Sequence, residues 1–242
     1  MARTAGIIII GDEVLSGKFQ DENSPFMAKQ LREHGVDLRR ISVIPDDIDE
    51  IAREVRAFSD LFDCVFTTGG IGPTHDDMTI EAISKGFGVR PVVDGYLRGL
   101  LEQKYGTALT PERLKMAQIP EGAELVKDET TFLPAIRIRN VYIFPGIPEL
   151  LRKKFTAILK HFSDTPLSLR KVYVTEYESE IAPHLNEVVR QFPQVKIGSY
   201  PFIDTKDYRV MVTFEALDVE LLNQSVESFT SGLSADKIFK VE

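Results

Sequence analysis

The stretch from Phe66 to Thr79, FTTGGIGPTHDDMT, gathers the densest set of chemically useful groups in the sequence. Thr67 and Thr68 end a β-branched run that opens into Gly69, Gly70 and Gly72, and Thr74, Asp76, Asp77 and Thr79 follow at once. Glycines let the backbone take positive φ and let a ligand come close to the main chain. Successive bare N–H groups then form a cradle for an anion, and two adjacent carboxylates beside it can hold a divalent cation. That pairing suits a phosphate ester or pyrophosphate carrying its own metal ion. Neither the dinucleotide fingerprint nor the Walker loop matches the glycine spacing, and no Lys-Ser/Thr pair closes the loop. The plainer reading is a tight strand-to-helix turn with a polar helix start. It leaves the crowding of so many polar groups into one short loop without a reason.

The elements that would position this loop can be read in order. Ala5–Ile10 is a solid apolar run, the pattern of a strand covered on both faces of a parallel sheet. It empties into a polar loop with Gly11, Asp12, Glu13, Ser16 and Gly17. Ligands of open parallel sheets bind beyond the carboxyl ends of the strands, so this loop is a second candidate wall; a solvated connection is the alternative. Asn23 or Ser24 is expected to cap a helix that Gly35 ends. Val36–Ile44 reads as a strand leading to Pro45-Asp46-Asp47, where Asp46 either caps the next helix or serves as a ligand. Ile48, Ile51, Ala52, Val55 and Phe58 then recur at helical spacing. Asp63–Thr68 is the third strand, and a helix from Thr79 to Lys85 closes at Gly86 and Gly88. This β-α-β-α-β-α order predicts a doubly wound, mostly parallel sheet in a three-layer α/β fold.

Tyr96–Tyr105 and Pro111–Ala117 are short helical patterns, and Lys115 stands in RLKMAQIP as either a snorkelling side chain or a phosphate contact. Ala135–Arg139 and Val141–Phe144 read as paired strands about a turn at Asn140. In PGIPELL, Pro145, Gly146 and Pro148 stiffen a loop, and Glu149 opens a helix to Phe162 where its charge also suits the helix dipole. A Ser/Asp/Pro linker at Ser163–Ser168 precedes a second pattern. Strand Lys171–Thr175, helix Ile181–Phe192, strands Val195–Ser199 and Tyr208–Ala216, helix Val219–Leu233 and strand Lys237–Val241 form the split β-α-β-β-α-β, ferredoxin-like order. Two domains are therefore expected, residues 1–165 and a small α+β domain at 166–242. His184, on the first helix of the small domain, reads as a satisfied or surface histidine.

Composition narrows the function classes. Hydrophobic residues at 43% and charged residues at 27% are ordinary for a globular protein. A net charge of −8 argues against nucleic acid or an anionic membrane surface as partner. The single cysteine, Cys64, sits in an apolar run and cannot form an internal disulfide. No apolar stretch approaches the ~20 residues of a membrane span, and the start lacks a signal-peptide pattern, so a cytoplasmic location is expected.

Taken together, GDEVLSG, PDD, TTGGIGPTHDDMT and PGIPEL occur in the motif order of the molybdopterin-binding-like superfamily, which the chain resembles over nearly its whole length. Within that group IRNVYIFPGIPELLRKKF, GGIGPTHDD and KIGSYPF look most like the amino-terminal part of eukaryotic-type FAD synthases, with the competence/damage-inducible (CinA) amino-terminal domain as a second relative. Two departures stand out. DETTFLPAIRIRN replaces the glycine-containing segment usual before the PGIPE loop in competence-type domains, and the adenylating domain of FAD synthases is absent. The chain is therefore not expected to make FAD unaided.

The resemblance implies metal-dependent cleavage of nucleotide pyrophosphates, FAD or ADP-ribose, with Mg, Mn or Co as the ion and K as a possible companion. It places Asp46, Asp77 and Lys115 as catalytic residues and Asp76 with Asp77 on the metal. Gly11, Asp12, Glu13, Ser16, Thr68, Gly69, Gly70, Gly72, Thr74, Thr79, Gly146, Pro148 and Glu149 are expected to bind a small-molecule nucleotide substrate. Asp46 or Glu13 is the candidate base if one is needed. Two alternatives stay open: adenylyl transfer to a molybdopterin-like phosphate, or a non-catalytic pterin- or flavin-nucleotide-binding module. A homo-oligomer is the expected assembly.

Overall fold

The computed structural model describes residues 3–127, 131–162, 165–203, 205 and 207–242. The chain divides into two compact units, Met1–Asp164 and Thr165–Glu242. Ser163 and Asp164 of the expected linker, and the DET of DETTFLPAIRIRN, lie outside the described residues.

In the first unit the strands are β1 (Thr4–Ile10), β2 (Asp37–Ile44), β3 (Cys64–Thr68), β4 (Pro91–Val93), β5 (Gln118–Pro120), β6 (Glu124–Val126), β7 (Ala135–Ile138) and β8 (Val141–Phe144). The helices are α1 (Asp12–Leu15), α2 (Asn23–Glu33), α3 (Ile48–Leu61), α4 (Thr79–Phe87), α5 (Gly95–Tyr105), α6 (Pro111–Lys115) and α7 (Pro148–Leu159). Among the described residues a six-stranded sheet runs in the order β2-β1-β3-β8-β7-β6, and β4 pairs with β5 apart from it. The neighbours from β2 to β8 are parallel, while β7 and β6 are antiparallel additions.

Alternation along β1 explains why the sheet is covered twice. Successive strand residues point to opposite faces, so Ile8 and Ile10 join α3, α4 and α5 in one core while Ile7 and Ile9 join α2 and α7 in the other. Phe66 anchors the second core, with Phe155 and Phe162 edge-on at 5.2 and 5.5 Å and Tyr142 stacked at 5.6 Å between ring centroids. Cys64 is buried in β3, as its apolar setting implied.

Four local expectations shift. GDEV, read as loop, starts the single turn α1. Neither Asn23 nor Ser24 caps α2 with its side chain. Asp21 Oδ1 instead accepts from the backbone N–H groups of Asn23 (2.9 Å) and Ser24 (3.0 Å). Gly86 lies inside α4 rather than at its end, because a Cβ there would meet the Ala52 carbonyl oxygen at 2.6 Å, and glycine lets α3 and α4 approach. The β7–β8 turn has its positive φ (54°) at Arg139, while Asn140 uses its side chain, donating to the carbonyls of Ser59 (3.0 Å) and Phe62 (2.8 Å).

In the second unit, β9 (Ser168–Val174), α8 (Glu178–Gln191), β10 (Lys196–Pro201), β11 (Val210–Ala216), α9 (Val219–Ser231) and β12 (Ile238–Val241) follow the ferredoxin-like order. The antiparallel sheet runs β10-β11-β9-β12. Val172, Val174, Val212 and Phe214 pack beneath Ile181, Val188, Leu222 and Phe229 of the two helices. His184 is satisfied as expected: its Nε2 lies 3.0 Å from the Phe229 carbonyl oxygen and its ring stacks on Phe229. No helix among the described residues is long and apolar enough to cross a membrane.

Candidate functional site

Strand register brings the motifs to one edge. Ile10 pairs with Ile44, Ile9 with Thr68 and Thr68 with Phe144, so β2, β1, β3 and β8 end together. Their exits are Asp46, Gly11–Glu13, Gly69–Gly72 and Pro145–Pro148 respectively. Backbone bonds lock two of these exits to neighbouring strands, from Gly11 N to Ile44 O (3.1 Å) and from Gly69 N to Phe144 O (3.2 Å).

The glycine turn is built where no side chain fits. Gly69 has φ +110°, and a Cβ on it would lie 2.0 Å from the Ile10 carbonyl oxygen. Gly70 has φ +62°, with the Thr79 hydroxyl occupying the place of its Cβ. Fully buried Thr79 fastens the turn to α4: its Oγ1 donates to Gly69 O (2.9 Å) and its N–H to Gly70 O (3.0 Å). Thr74 ties down the outer rim. Its N–H and Oγ1 donate to Asp77 Oδ2 at 2.7 and 2.5 Å, and its carbonyl accepts from Lys115 Nζ at 2.6 Å. Lys115, far away in sequence, is therefore held against the glycine loop.

Below these loops lies a cleft of about 1000 Å³ within the first unit. Glu13, Thr68, Gly69, Gly70, Gly72, Asp77, Lys115, Gly146 and Pro148 line it. Gly11, Asp12, Ser16, Asp46, Thr74, Asp76, Thr79 and Glu149 are not among its lining residues. Thr74 and Thr79 act from behind, through the bonds just given. Asp76 lies at the outer rim, with its side chain 61% exposed beside His75 at 3.9 Å and its carboxyl held below the usual range chiefly by a hydrogen bond from Thr74, whereas Asp77 lines the cleft.

Asp46 leaves the capping of α3 to Asp47, whose Oδ1 accepts from Glu50 N at 2.8 Å. Its own Oδ2 accepts from the Asp12 N–H at 3.0 Å, tying the first two loops together. Burial raises the Asp46 pKa above its ordinary 3.8; the Asp12 N–H opposes this, and the carboxylates of Glu13, Asp12 and Asp76 push it further up. Ionised Asp46 thus works against the fold. Between 3.8 and its raised value the native chain keeps a proton that the unfolded chain has lost, so stability falls as pH rises through that window. Asp46→Asn keeps an acceptor for Asp12. In metal-free buffer it is expected to melt higher than wild type at neutral pH, with the difference vanishing below pH 3.8. Equal melting temperatures at both ends of the range would contradict this.

The carboxylates crowding Asp46 form an acidic field that a cation would relieve. Among the described residues, no three His, Cys, Asp or Glu side chains converge as ready-made metal ligands.

Two features escaped the sequence reading. Asn23, only 8% exposed, sends Nδ2 to Thr68 Oγ1 (3.1 Å) and to Gly146 O (2.8 Å), so one amide bridges two walls of the cleft. The only hint was a polar residue at a helix start, which reads as a cap. The other is the apolar part of the cleft, including Leu97, Leu101, Tyr105, Met116 and Phe132, whose spacing in sequence resembles any buried helix face.

Comparison with known proteins adds an independent line. Residues 6–164 match the family model described as "Probable molybdopterin binding domain", and residues 166–242 match "FAD synthase, middle domain". A protein of Archaeoglobus fulgidus is 37% identical over 92% of this chain and 95% of its own length. A Caenorhabditis elegans protein named "Probable FAD synthase" is 31% identical over 98% of this chain, which spans 51% of that relative. Among solved structures, the protein CinA of Thermoplasma acidophilum, titled as of unknown function, superposes with a TM-score of 0.62 at 35% identity, covering 66% of this chain and 98% of that one.

Proposed function

Since the chain belongs to the molybdopterin-binding-domain family and continues into an FAD-synthase-type middle domain, we propose that it is a divalent-metal-dependent nucleotide pyrophosphatase acting on FAD or a related ADP-containing dinucleotide. The observation that carries this reading is the cleft itself. A glycine turn, with Asp77 and Lys115 beside it, opens into an apolar space larger than a phosphate needs. A nucleotide diphosphate with a bulky group at each end matches both parts. The name of the Caenorhabditis relative supports flavin as one of those groups.

In this mechanism the amides of Gly70–Gly72 hold one phosphate, as main-chain nests do, since the Gly69 N–H is already given to Phe144 O. Lys115 offsets charge on the other. Asp77, with Asp76 or Asp46, would hold the cation. When bound, the ion neutralises the diphosphate and makes water a better nucleophile. Water adds to one phosphorus, the P–O–P bridge breaks, and FAD plus water yields FMN and AMP. Glu13, which lines the cleft, or Asp46 would take the proton of the incoming water.

The test is to incubate the purified chain with FAD, ADP-ribose or NAD in the presence of Mg²⁺, Mn²⁺ or Co²⁺ and identify products by mass. FMN with AMP is the expected result. Product only when ATP and a molybdopterin are supplied together would replace hydrolysis by adenylyl transfer, and tight binding with no turnover under any ion would leave a binding module.

A further inference from the structure

The cleft has a second chemistry that the phosphate loops do not use. Leu97, Leu101 and Tyr105 follow one another at i, i+4 and i+8 on α5 and all line it. At 1.5 Å rise per residue they span about 12 Å; Leu97 and Leu101, each 1% exposed, wall the cleft from the core side, and Tyr105 is half-buried. Phe132 also lines the cleft and is 44% exposed, a large ring left facing solvent. Lys104 Nζ stands 4.4 Å from the Phe132 centroid and 5.4 Å from that of Tyr105, with the Arg113 guanidinium 4.4 Å from Tyr105. Cations over ring faces hold those rings in place. Small-molecule sites pair such apolar walls with a few fixed polar groups.

We propose that this part of the cleft is a chamber for the tricyclic ring of a flavin mononucleotide moiety, with Phe132 the specificity-determining residue. The inference deepens the pyrophosphatase reading and rests on it for the fate of the bound molecule, but ring binding itself can be read without turnover. The wall along α5 suits a long flat ring better than a sugar, which presents hydroxyls that would lose water against leucine. Phe132 supplies a stacking face, and Lys104 supplies a donor for the carbonyl edge of the ring. A ring seated here also accounts for an aromatic side chain kept exposed at the rim of a polar phosphate site.

The test uses the full chain and FMN. Saturable binding is expected on titration, read by calorimetry. Phe132→Ala should weaken FMN binding roughly tenfold, the scale of losing one stacking partner, and Phe132→Tyr should restore it. Competition by ADP-ribose, which has no ring at that end, should be indifferent to both variants. Phe132 is exposed enough that its loss leaves the core intact; Lys104→Gln, also at an exposed position, is the second chamber variant and should likewise weaken FMN binding, with its melting curve checked against wild type. Absent binding in wild type, equal FMN affinity in Phe132→Ala, or tighter binding of a bicyclic pterin phosphate than of FMN would each overturn the chamber. FMN binding without FAD cleavage would instead sink the pyrophosphatase and leave the chamber standing. FAD cleavage unaffected by Phe132→Ala would do the reverse.

Discussion

Asp77→Asn is expected to slow FAD cleavage roughly 10²–10³-fold, the usual scale for removing one preorganised electrostatic contact, while leaving the melting curve unmoved. Asn retains a side-chain oxygen that can accept both hydrogen bonds from Thr74, so the rim of the loop keeps its shape. Only the negative charge is lost. Asp77→Ala is the less informative variant, since it frees the Thr74 N–H and hydroxyl along with the charge. Steady-state rates at saturating metal, beside a thermal melt of each variant, separate the two effects. An Asn variant with full activity would remove Asp77 from the catalytic set and take the proposed placement of the cation with it.

Gly69→Ala should be the most damaging single methyl in the first unit. The backbone there sits at φ +110°, and the new Cβ would lie 2.0 Å from the carbonyl oxygen of Ile10 in buried β1. A forbidden backbone region costs about 1–3 kcal/mol and forced overpacking a similar amount, so a loss of about 3 kcal/mol or more is expected. For a unit of this size that corresponds to a melting temperature about 10 °C lower. Gly17→Ala is the matched control: φ is also positive, at +71°, but no atom stands within 4 Å of the added carbon. Its cost should stay near 1 kcal/mol. Comparable losses at both positions would mean that backbone conformation alone, and not the contact with β1, sets the penalty.

The sheet was legible because β1 and β3 are apolar on both faces, a pattern that only a doubly covered strand tolerates. The glycine loop was legible because three glycines beside two aspartates have few structural uses. Less readable were features whose meaning depends on what lies across space. Asp46 and Asp47 are neighbours of one type, and only the direction of the chain leaving β2 decides that Asp47 caps α3 while Asp46 reaches Asp12. Gly86 looked like a helix stop and proves to be a contact point between helices, because nothing local reveals the Ala52 carbonyl beside it. Strands β4, β5 and β6 hold three residues each, too short for a period to show. The chamber on α5 was hidden for the opposite reason, since its leucines repeat at the spacing any amphipathic helix would have.

Asn23 links Thr68 at the end of β3 and the Pro145–Gly146 turn through a single nitrogen, and its oxygen has no hydrogen-bond partner among the described residues. Rotating that amide by half a turn would aim its oxygen at a carbonyl, so the clasp has one stable setting. A molecule entering the pocket thus meets two walls already tied to each other from behind by one side chain.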